Sequence, residues 1–395
     1  MQPEALMLER TGQATWPATK DKAAKGMERP LVIRRVDAIP VALPLKNPVT
    51  MSAEVVAAAQ NLLVRMETAD GNVGWGEASS APTMTGDTLG GLVAAVRDHL
   101  APMLIGKDAR TWPALRAALH RVLLGNGGAH SAVEMAVLDL IGHATGQRLI
   151  DIVARPRRNA VKPMWLLGNK TADEDVAEAH AKQAAGFDFF KLKIGVKPLA
   201  KEIAIAFAVR EALPDTPLCA DANCGLTLAA ARRYIEKTRK AKLMFVEQPL
   251  AYDDIDGLKK LARGTRVPIG VDEGIHSLAD IEAHARAGAS GVSLKVIKLG
   301  GITAAIAAGK LCHRLGLSVN IAAKIAESSI SSAAALHLAC AVPKADWGVS
   351  LTHFYLAEDI VRRPLPLKNG LVALPDGPGL GVEVDEAAVE RFRVR

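Results

Sequence analysis

Residues 187–195, FDFFKLKIG, place two lysines inside an otherwise apolar run. If the run is a strand, side chains alternate between its two faces, so Lys191 and Lys193 point to the same side. Two ammonium groups on one face repel each other and lower the pKa of at least one lysine unless anions lie nearby. The pair therefore indicates either a solvent-exposed edge strand or a cavity that contains anionic groups.

Three carboxylate residues follow, each at the end of a short apolar run. Asp221 lies in CADANC, Glu247 in FVEQP and Asp272 in GVDEG. They are separated by 26 and then 25 residues, about one strand–helix unit each. In a barrel the carboxyl ends of the strands meet at one face, where active sites lie. We therefore expect these carboxylates to converge, although any one of them could instead cap the following helix.

Carboxylates at neighbouring strand ends repel one another unless a cation lies among them. Oxygen ligands without a His or Cys partner favour Mg²⁺, with Mn²⁺ as an alternative, over zinc. Lys295 ends the next strand, 23 residues after Asp272, so lysines flank the carboxylates on both sides. A carboxylate substrate held between a cation and two ammonium groups could exchange the proton on its α carbon. A lysine base needs a pKa of about 7 to 8 instead of about 10.4, and burial, the neighbouring lysine and the cation all act in that direction.

The elements that must position these residues form a regular rhythm after residue 158. Short apolar strands alternate with predicted helices at 171–185, 198–213, 227–241, 277–287, 301–315 and 328–340, with a further short helix after FVEQP. This alternation predicts parallel strands joined by right-handed crossovers. Seven such units favour a barrel over an open doubly wound sheet, and this segment contains no GxGxxG turn for a dinucleotide.

The residues before this rhythm predict a separate α+β domain. Alternating runs on both sides of the turn 69–71 predict a β-hairpin, and helical periodicity follows. The predicted fold class is therefore α/β, a modified TIM barrel (β/α)7β with an N-terminal α+β capping domain that the C-terminal segment completes. The predicted boundaries are a flexible tail at 1–30, the capping domain at 31–157, the barrel at 158–353 and the C-terminal segment at 354–395.

Composition argues against several classes of partner. Aromatic residues make up 4% of the 395 residues, which disfavours nucleic-acid binding by base stacking. The net charge of +7 is scattered along the chain, which suits a small carboxylate substrate better than a large anionic partner. Four cysteines form no CxxC pair, so a reducing cytoplasm is expected. No apolar stretch is long enough to span a bilayer, so we expect no membrane partner. Because aromatic residues are few, we expect no nucleic-acid partner either.

Taken in order, these motifs resemble those of the enolase superfamily and, within it, the muconate-lactonizing enzymes (muconate cycloisomerases). The resemblance covers residues from about 31 to 395. It is carried by GWGEA (74–78), LLGNGGAHSAVEMAVLDLIG (123–142), FKLKIG, DAN, VEQP, VDE, LKVIKLGG, AESSISSAAALHLA (326–339) and GPGLGVEVDE (377–386). A lysine or histidine base working with Mg²⁺ is a known property of this superfamily.

The resemblance implies a role for each candidate site residue. It implies that the Mg²⁺ ligands are Asp221, Glu247 and Asp272. It implies an acid/base pair, Lys193 and Lys295, with Lys191 as the electrostatic partner. It implies that the substrate-side or supporting groups are Asn223, Glu273, Glu327 and Lys298. Because a lysine occupies the sixth strand, the His–Asp dyad of mandelate racemases is not expected, and His276 and His353 are interpreted as structural or exposed.

The resemblance leaves several activities open. Cycloisomerisation of muconate would use Lys193 to protonate the enolate that lactone closure creates, whereas racemisation or epimerisation of N-acyl amino acids or dipeptides would use both Lys193 and Lys295. The ending VSLTHFYLAED lacks the Asp-x-Asp of dipeptide epimerases and favours a cycloisomerase, but PTMTGDT (82–88) resembles the epimerases. A related dehydratase and a catalytically silent barrel are further alternatives. The resemblance also implies that the segments 44–54 and 79–88 close over the barrel mouth. It implies a homo-oligomer between dimer and octamer.

Overall fold

The structure is a computed structural model that describes residues 29–50, 55–168 and 170–395. The predicted tail 1–30 lies outside the described residues apart from its last two, and so do residues 51–54 of the predicted loop 44–54. The strands of the described chain are β1 (Ile33–Thr50), β2 (Val55–Thr68), β3 (Val73–Ser79), β4 (Ala160–Val161), β5 (Trp165–Leu167), β6 (Phe190–Lys193), β7 (Leu218–Asp221), β8 (Val246–Glu247), β9 (Ile269–Val271), β10 (Gly291–Leu294), β11 (Ser318–Ala322), β12 (Val349–Ser350) and β13 (Val372–Ala373).

The helices divide between the two domains and the C-terminal segment. Those before β4 are Leu89–Ala94, Ala101–Leu104, Trp112–Val122, Gly127–Thr145 and Leu149–Val153, with a π-helical turn at Ala95–Leu100 and a 3₁₀ turn at Ala109–Thr111. Those between the barrel strands are Ala172–Ala184, Leu199–Ala212, Leu228–Lys237, Ile255–Arg263, Leu278–Arg286, Val296–Leu299, Ile302–Arg314 and Ser329–Ala341, with a 3₁₀ turn at Arg239–Ala241. The C-terminal segment carries Glu386–Phe392, and a 3₁₀ turn at His353–Tyr355 precedes it.

An antiparallel sheet in the order β1-β2-β3 forms the centre of the cap domain, the name used here for residues 31–157. The pairing of β2 with β3 runs from Glu67↔Val73 to Asn61↔Ser79, so the hairpin predicted around the turn 69–71 is confirmed. The predicted loop 44–54 is wrong for residues 44–50, which continue β1 and pair with β2 across a register shift. This segment therefore reaches the barrel as a hairpin end, stiffened by backbone hydrogen bonds.

Two glycines allow β3 to lie directly against the helix Gly127–Thr145. A Cβ atom at Gly76 would lie 1.9 Å from Ala132 O, and one at Gly74 would lie 2.2 Å from Ala136 O. Real side chains do not approach backbone atoms this closely, so only glycine permits the contact. Because strand side chains alternate, the glycines occupy one face of β3, and the intervening residues point to the other.

Within the described residues, eight parallel strands form one sheet in the order β5-β6-β7-β8-β9-β10-β11-β12. A parallel bridge between Pro163 and Val349 joins its two edges, and the N–H of Met164 donates to Val349 O at 2.9 Å. One helix, or in one case two, lies between each pair of consecutive strands. The predicted (β/α)7β barrel is confirmed, and the parallel strands bring their carboxyl ends to one face.

Side-chain acceptors fix where the barrel helices begin. Thr171 Oγ1 accepts from the N–H of Glu174, and the Glu174 carboxylate accepts from the N–H of Thr171 at 3.0 Å, which makes a capping box. The corresponding single acceptors at other barrel helices are Thr227, Asp254, Ser277 and Ser328. The helix predicted at 171–185 accordingly runs from Ala172 to Ala184.

The C-terminal segment leaves the barrel and returns to the cap domain, as predicted. The N–H of Val394 donates to Pro40 O at 3.0 Å, and the N–H of Leu380 donates to Asp139 Oδ1 at 2.7 Å, both in the cap domain. Strand β13 pairs antiparallel with β4, which directly follows that domain. The boundaries after residues 157 and 353 remain predictions. Among the described helices, none is both long and apolar enough to cross a membrane.

Candidate active site

Three acidic side chains meet at the carboxyl ends of neighbouring barrel strands. Asp221 is the last residue of β7, Glu247 is the last residue of β8, and Asp272 follows β9 directly. Asp221 and Glu247 are register partners, and Glu247 pairs with the residue two positions before Asp272. All three are at most 2% exposed. We call this group the carboxylate cluster.

The two lysines of β6 point into the barrel and contact this cluster. Lys191 Nζ donates to Glu247 Oε2, and Lys193 Nζ donates to Asp221 Oδ2 at 2.7 Å and to Asn223 Oδ1 at 2.6 Å. The alternation in FKLK therefore puts both ammonium groups on the interior face. Of the two readings of this spacing, the structure shows the cavity with anionic groups and not the exposed edge strand.

Two further lysines approach the carboxylate cluster from the other side. Lys295, which directly follows β10, donates to Asp272 Oδ2. Lys298, in the short helix Val296–Leu299, donates to Asp272 Oδ1 at 2.6 Å and to Ser293 O at 3.1 Å. In the described barrel of eight strands, β6 and β10 are four strands apart. Lys193 and Lys295 therefore stand on opposite sides of the carboxylates.

These contacts set the charge state of the site. Burial by itself lowers the pKa of Lys191, but Glu247 and Asp221 outweigh it and the pKa is raised. For Lys295, Asp272 likewise outweighs burial and the pKa is raised. Burial raises the pKa of Asp272, but the adjacent ammonium groups dominate and hold it below its ordinary value. The sequence predicts a lowered pKa for at least one of Lys191 and Lys193 unless anions lie nearby, and the structure places Glu247 and Asp221 against them.

The chemistry of the carboxylate cluster fits a hard divalent cation. It offers carboxylate oxygens from three successive strand ends, with no thiolate or imidazole in the set. In the structure these oxygens accept hydrogen bonds from lysines. Among residues 29–50, 55–168 and 170–395, no three acidic, histidine or cysteine side chains are arranged so that they would hold an ion. A cation and the lysine ammonium groups would therefore compete for the same oxygens.

A cavity of about 40 Å³ lies at this face of the barrel. The cap domain contributes Val49 from the end of β1 and Met84 from the segment 79–88. Both segments that were expected to cover the barrel mouth therefore supply an apolar side chain to the cavity. Its polar lining consists of Lys191, Lys193, Asp221, Asn223, Glu247, Asp272, Lys295, Lys324, Ser350 and Thr352.

The other predicted substrate-side residues differ in how they reach this cavity. Asn223 lines it and donates from Nδ2 to Glu273 Oε1 at 2.9 Å. Glu273, Lys298 and Glu327 are buried and do not line it. Burial, followed by the charge of Asp272, raises the pKa of Glu273 to about 7. Burial, followed by the charge of Glu77, raises the pKa of Glu327 to about 8.

The two histidines named from the sequence have structural contacts. His276 Nε2 lies 2.8 Å from Glu273 O, and His353 Nε2 lies 2.9 Å from Leu365 O. In both cases a ring nitrogen is paired with a backbone carbonyl. The contacts agree with the interpretation of these histidines as structural.

Sequence reasoning missed two residues that orient the carboxylate cluster. Gln248 Oε1 accepts from the N–H of Asp272 at 2.8 Å, and Gln248 has a left-handed backbone with φ 35°. Ser293 Oγ donates to Glu247 at 2.6 Å. Ser293 precedes Lys295 by two positions, so strand alternation alone could have placed both on the interior face.

Comparison with known proteins identifies the family. Residues 33–153 match the family described as mandelate racemase / muconate lactonizing enzyme, N-terminal domain, and residues 174–388 match the enolase C-terminal domain-like family. A chloromuconate cycloisomerase of Cupriavidus pinatubonensis is 31% identical over 89% of this chain and 96% of its own length. An L-Ala-D/L-Glu epimerase of Bacillus subtilis is 28% identical over 89% of this chain and 96% of its own length.

A solved structure agrees with these sequence matches. The muconate lactonizing enzyme from Pseudomonas fluorescens, complexed with muconolactone, superposes with a TM-score of 0.89 and 27% identity, covering 93% of this chain and 100% of that one. The named relatives are cycloisomerases and an epimerase, which are isomerases, so the chain is an enzyme of the isomerase class. The chain belongs to the enolase superfamily, within the subgroup of the muconate lactonizing enzymes.

Proposed function

We propose that this isomerase is a Mg²⁺-dependent cycloisomerase that closes muconate, or a similar unsaturated dicarboxylate, to a lactone. One observation carries the proposal: Lys193 and Lys295 face each other across three buried carboxylates, in a chain that is 31% identical to a chloromuconate cycloisomerase. The match covers 96% of that enzyme, so it includes both the cap domain and the barrel.

The carboxylate cluster would hold the metal ion. The bound cation would supply positive charge that stabilises negative charge developing on the substrate carboxylate. Asp221, Glu247 and Asp272 would give up hydrogen bonds from lysines when they bind it, because the same oxygens are used. Ser293 and Gln248 would keep Glu247 and Asp272 in place during this exchange, since their contacts involve other atoms or the backbone.

The lysines of this chain would move the proton. In lactone closure, one carboxylate oxygen of muconate forms a C–O bond to a carbon of the conjugated system, and the displaced electron pair produces an enolate at the other end. Lys193 would donate its proton to the α carbon of that enolate, which completes the lactone. Asn223 accepts a hydrogen bond from Lys193 at 2.6 Å and would orient the ammonium group. Lys295, on the opposite side, would contribute positive charge.

The second candidate function is racemisation or epimerisation of N-acyl amino acids or dipeptides. The observation that favours it is the match to an L-Ala-D/L-Glu epimerase over 89% of this chain. In that reaction one lysine removes the α proton from one face and the other lysine returns a proton to the opposite face, so both Lys193 and Lys295 are essential. A related dehydratase would share the first of these steps.

Turnover in D₂O with Mg²⁺ separates these functions. A cycloisomerase removes the ultraviolet absorbance of muconate and places one solvent deuterium in the product. An epimerase places deuterium at the α carbon of recovered N-acyl amino acid or dipeptide and leaves muconate unchanged. A protein that does neither would contradict both proposals.

Analytical sedimentation of the same sample tests the predicted homo-oligomer.

A further inference from the structure

Glu77, in the motif GWGEA, is a buried carboxylate that the proposed mechanism does not use. It is 0% exposed. Its carboxylate accepts from the N–H and the hydroxyl of Ser328, at 3.0 and 2.7 Å, from the N–H of Ser331 at 2.9 Å, and from Asn61 Nδ2 at 2.7 Å. Burying a charge in this way is costly unless it is fully hydrogen-bonded. The contacts satisfy that need, and they tie the cap domain to one turn of the barrel.

The alternation of β3 explains why Glu77 reaches this turn. Gly74 and Gly76 occupy the face that packs on the helix Gly127–Thr145. Glu77 and Ser79 occupy the opposite face, two residues apart, and both contact the turn that follows β11. In GWGEAS the glycines therefore contact the helix Gly127–Thr145, and the polar residues contact the turn that follows β11.

The turn that Glu77 holds carries Glu327. The N–H of Ser328, which Glu77 binds, belongs to the peptide group that directly follows Glu327. Ser79 Oγ donates to Glu327 Oε1 at 2.8 Å. Asn61 Nδ2, which also donates to Glu77, lies 3.5 Å from the backbone oxygen of Ala326, the residue before Glu327. The cap domain thus contacts the Glu327 carboxyl and the backbone on both sides of it, while the N–H of Glu327 itself donates to Thr352 Oγ1 at 3.1 Å.

We propose that Glu77 is a positioning residue that acts through Glu327. Strand β3 of the cap sheet, and not only the cap loops, would then help to place a group of the active site. The inference rests on the proposed function in one respect, because it needs Glu327 to have the substrate-side or supporting role that the family resemblance implies. The charges of Glu77 and Lys295 both act on the pKa of Glu327, the first raising it and the second lowering it, which agrees with this arrangement.

A purely structural role for Glu77 would be to cap the helix Ser329–Ala341. That helix already has another acidic partner, because Asp359 from the C-terminal segment accepts from the N–H of Ser329 at 3.2 Å and from its hydroxyl at 2.7 Å. Asp359 therefore provides a matched control. It binds the same helix end, whereas Ser79 and Glu77 of the cap domain bind the Glu327 carboxyl and the Ser328 N–H.

A double-mutant cycle in kcat/KM distinguishes the two roles. We expect Glu77→Gln to lower kcat/KM at least about tenfold, since a misplacement of about 1 Å can cost about 100-fold. The double variant Glu77→Gln/Glu327→Gln should lie within about twofold of Glu327→Gln alone, because the two residues act as a unit. Asp359→Asn should change kcat/KM by less than about twofold. Additive losses in the double variant, or an equal loss in Asp359→Asn, would overturn the inference.

Amide hydrogen exchange provides a readout that needs no turnover. The amides of Ser328 and Ser331 should exchange faster in Glu77→Gln than in the wild type, and Asp359→Asn should not accelerate them. Unchanged exchange at these amides in Glu77→Gln would contradict the inference. Wild-type protein that turns over neither muconate nor an N-acyl amino acid would contradict the proposed function alone, and the exchange comparison would then decide the inference.

Discussion

Lys191 and Glu247 form an ion pair inside the barrel, although they lie on strands β6 and β8, which are two apart in the sheet order. Both side chains are almost completely buried, and Ser293 Oγ donates to the other oxygen of Glu247 at 2.6 Å. Lys191 therefore neutralises one of the three carboxylates of the carboxylate cluster. Its removal should therefore affect both the stability of the protein and its affinity for a cation.

Replacing Lys191 by Met should destabilise the protein strongly. The variant keeps an unbranched side chain but leaves Glu247 buried without its cation, which costs about 3–5 kcal/mol in free energy of unfolding. Urea unfolding in the presence of EDTA measures the loss. The matched control is Arg286→Met, which removes the exposed pair Arg286–Glu282, 3.7 Å apart, and should cost less than about 1 kcal/mol. Equal losses in the two variants would contradict this assignment.

Mg²⁺ should stabilise the wild type by binding at the carboxylate cluster. At an ion concentration of about 100 times Kd the gain is about 2.7 kcal/mol in free energy of unfolding. Asp221→Asn should lose most of this gain, whereas Glu282→Gln, which removes an exposed carboxylate on the helix Leu278–Arg286, should keep it. Unfolding with Mg²⁺ and with EDTA measures the difference, and a wild type that unfolds at the same urea concentration in both would count against a metal site.

The contribution of Glu327 to the stability of the protein should fall as the pH rises from about 4.5 to about 8. Its folded pKa, raised to about 8 by burial and by Glu77, lies above the unfolded value of 4.5, so the folded state binds the proton more tightly. The unfolded state ionises first, and the contribution of Glu327 is lost as the pH passes through 8. Glu327→Gln should flatten this dependence by a few kcal/mol. An unchanged slope in that variant would show that Glu327 is not held neutral.

Gly76→Ala should disrupt the packing of β3 on the helix Gly127–Thr145. The added Cβ would lie 1.9 Å from Ala132 O, and backbone on both sides prevents easy relaxation, so we expect a loss of about 3 kcal/mol or more. Gly90→Ala is the control, because a Cβ there meets nothing within 4 Å. Thermal unfolding should show a large decrease for Gly76→Ala and almost none for Gly90→Ala. Similar melting temperatures for both would indicate that β3 can move away from the helix.

The barrel and the inward direction of the candidate site side chains could be predicted from the sequence because they depend on short-range periodicity. Strand alternation put Lys191 and Lys193 on one face, and the spacing of one strand–helix unit put Asp221 and Glu247 at adjacent strand ends. The predicted roles of these residues as base and metal ligands remain proposals.

Contacts between distant segments could not be read from the sequence. No local pattern indicates that Glu77 reaches Ser328, which is 251 residues away, or that Gln248 uses its side chain to hold the backbone of Asp272. The raised pKa of Lys191 could not be predicted either, because the sequence does not show that Glu247 lies within hydrogen-bonding distance.

The most direct test of the proposed chemistry is the rate at which Lys193→Ala consumes muconate with Mg²⁺ present, beside Lys295→Ala and the wild type. We expect Lys193→Ala to be slower by a factor of about 10² to 10⁴, since it lacks the group that protonates the enolate. Lys295→Ala should keep measurable lactonisation, because it loses charge but not the proton donor. Wild-type turnover by folded Lys193→Ala would contradict the assignment of Lys193 and, with it, the proposed mechanism.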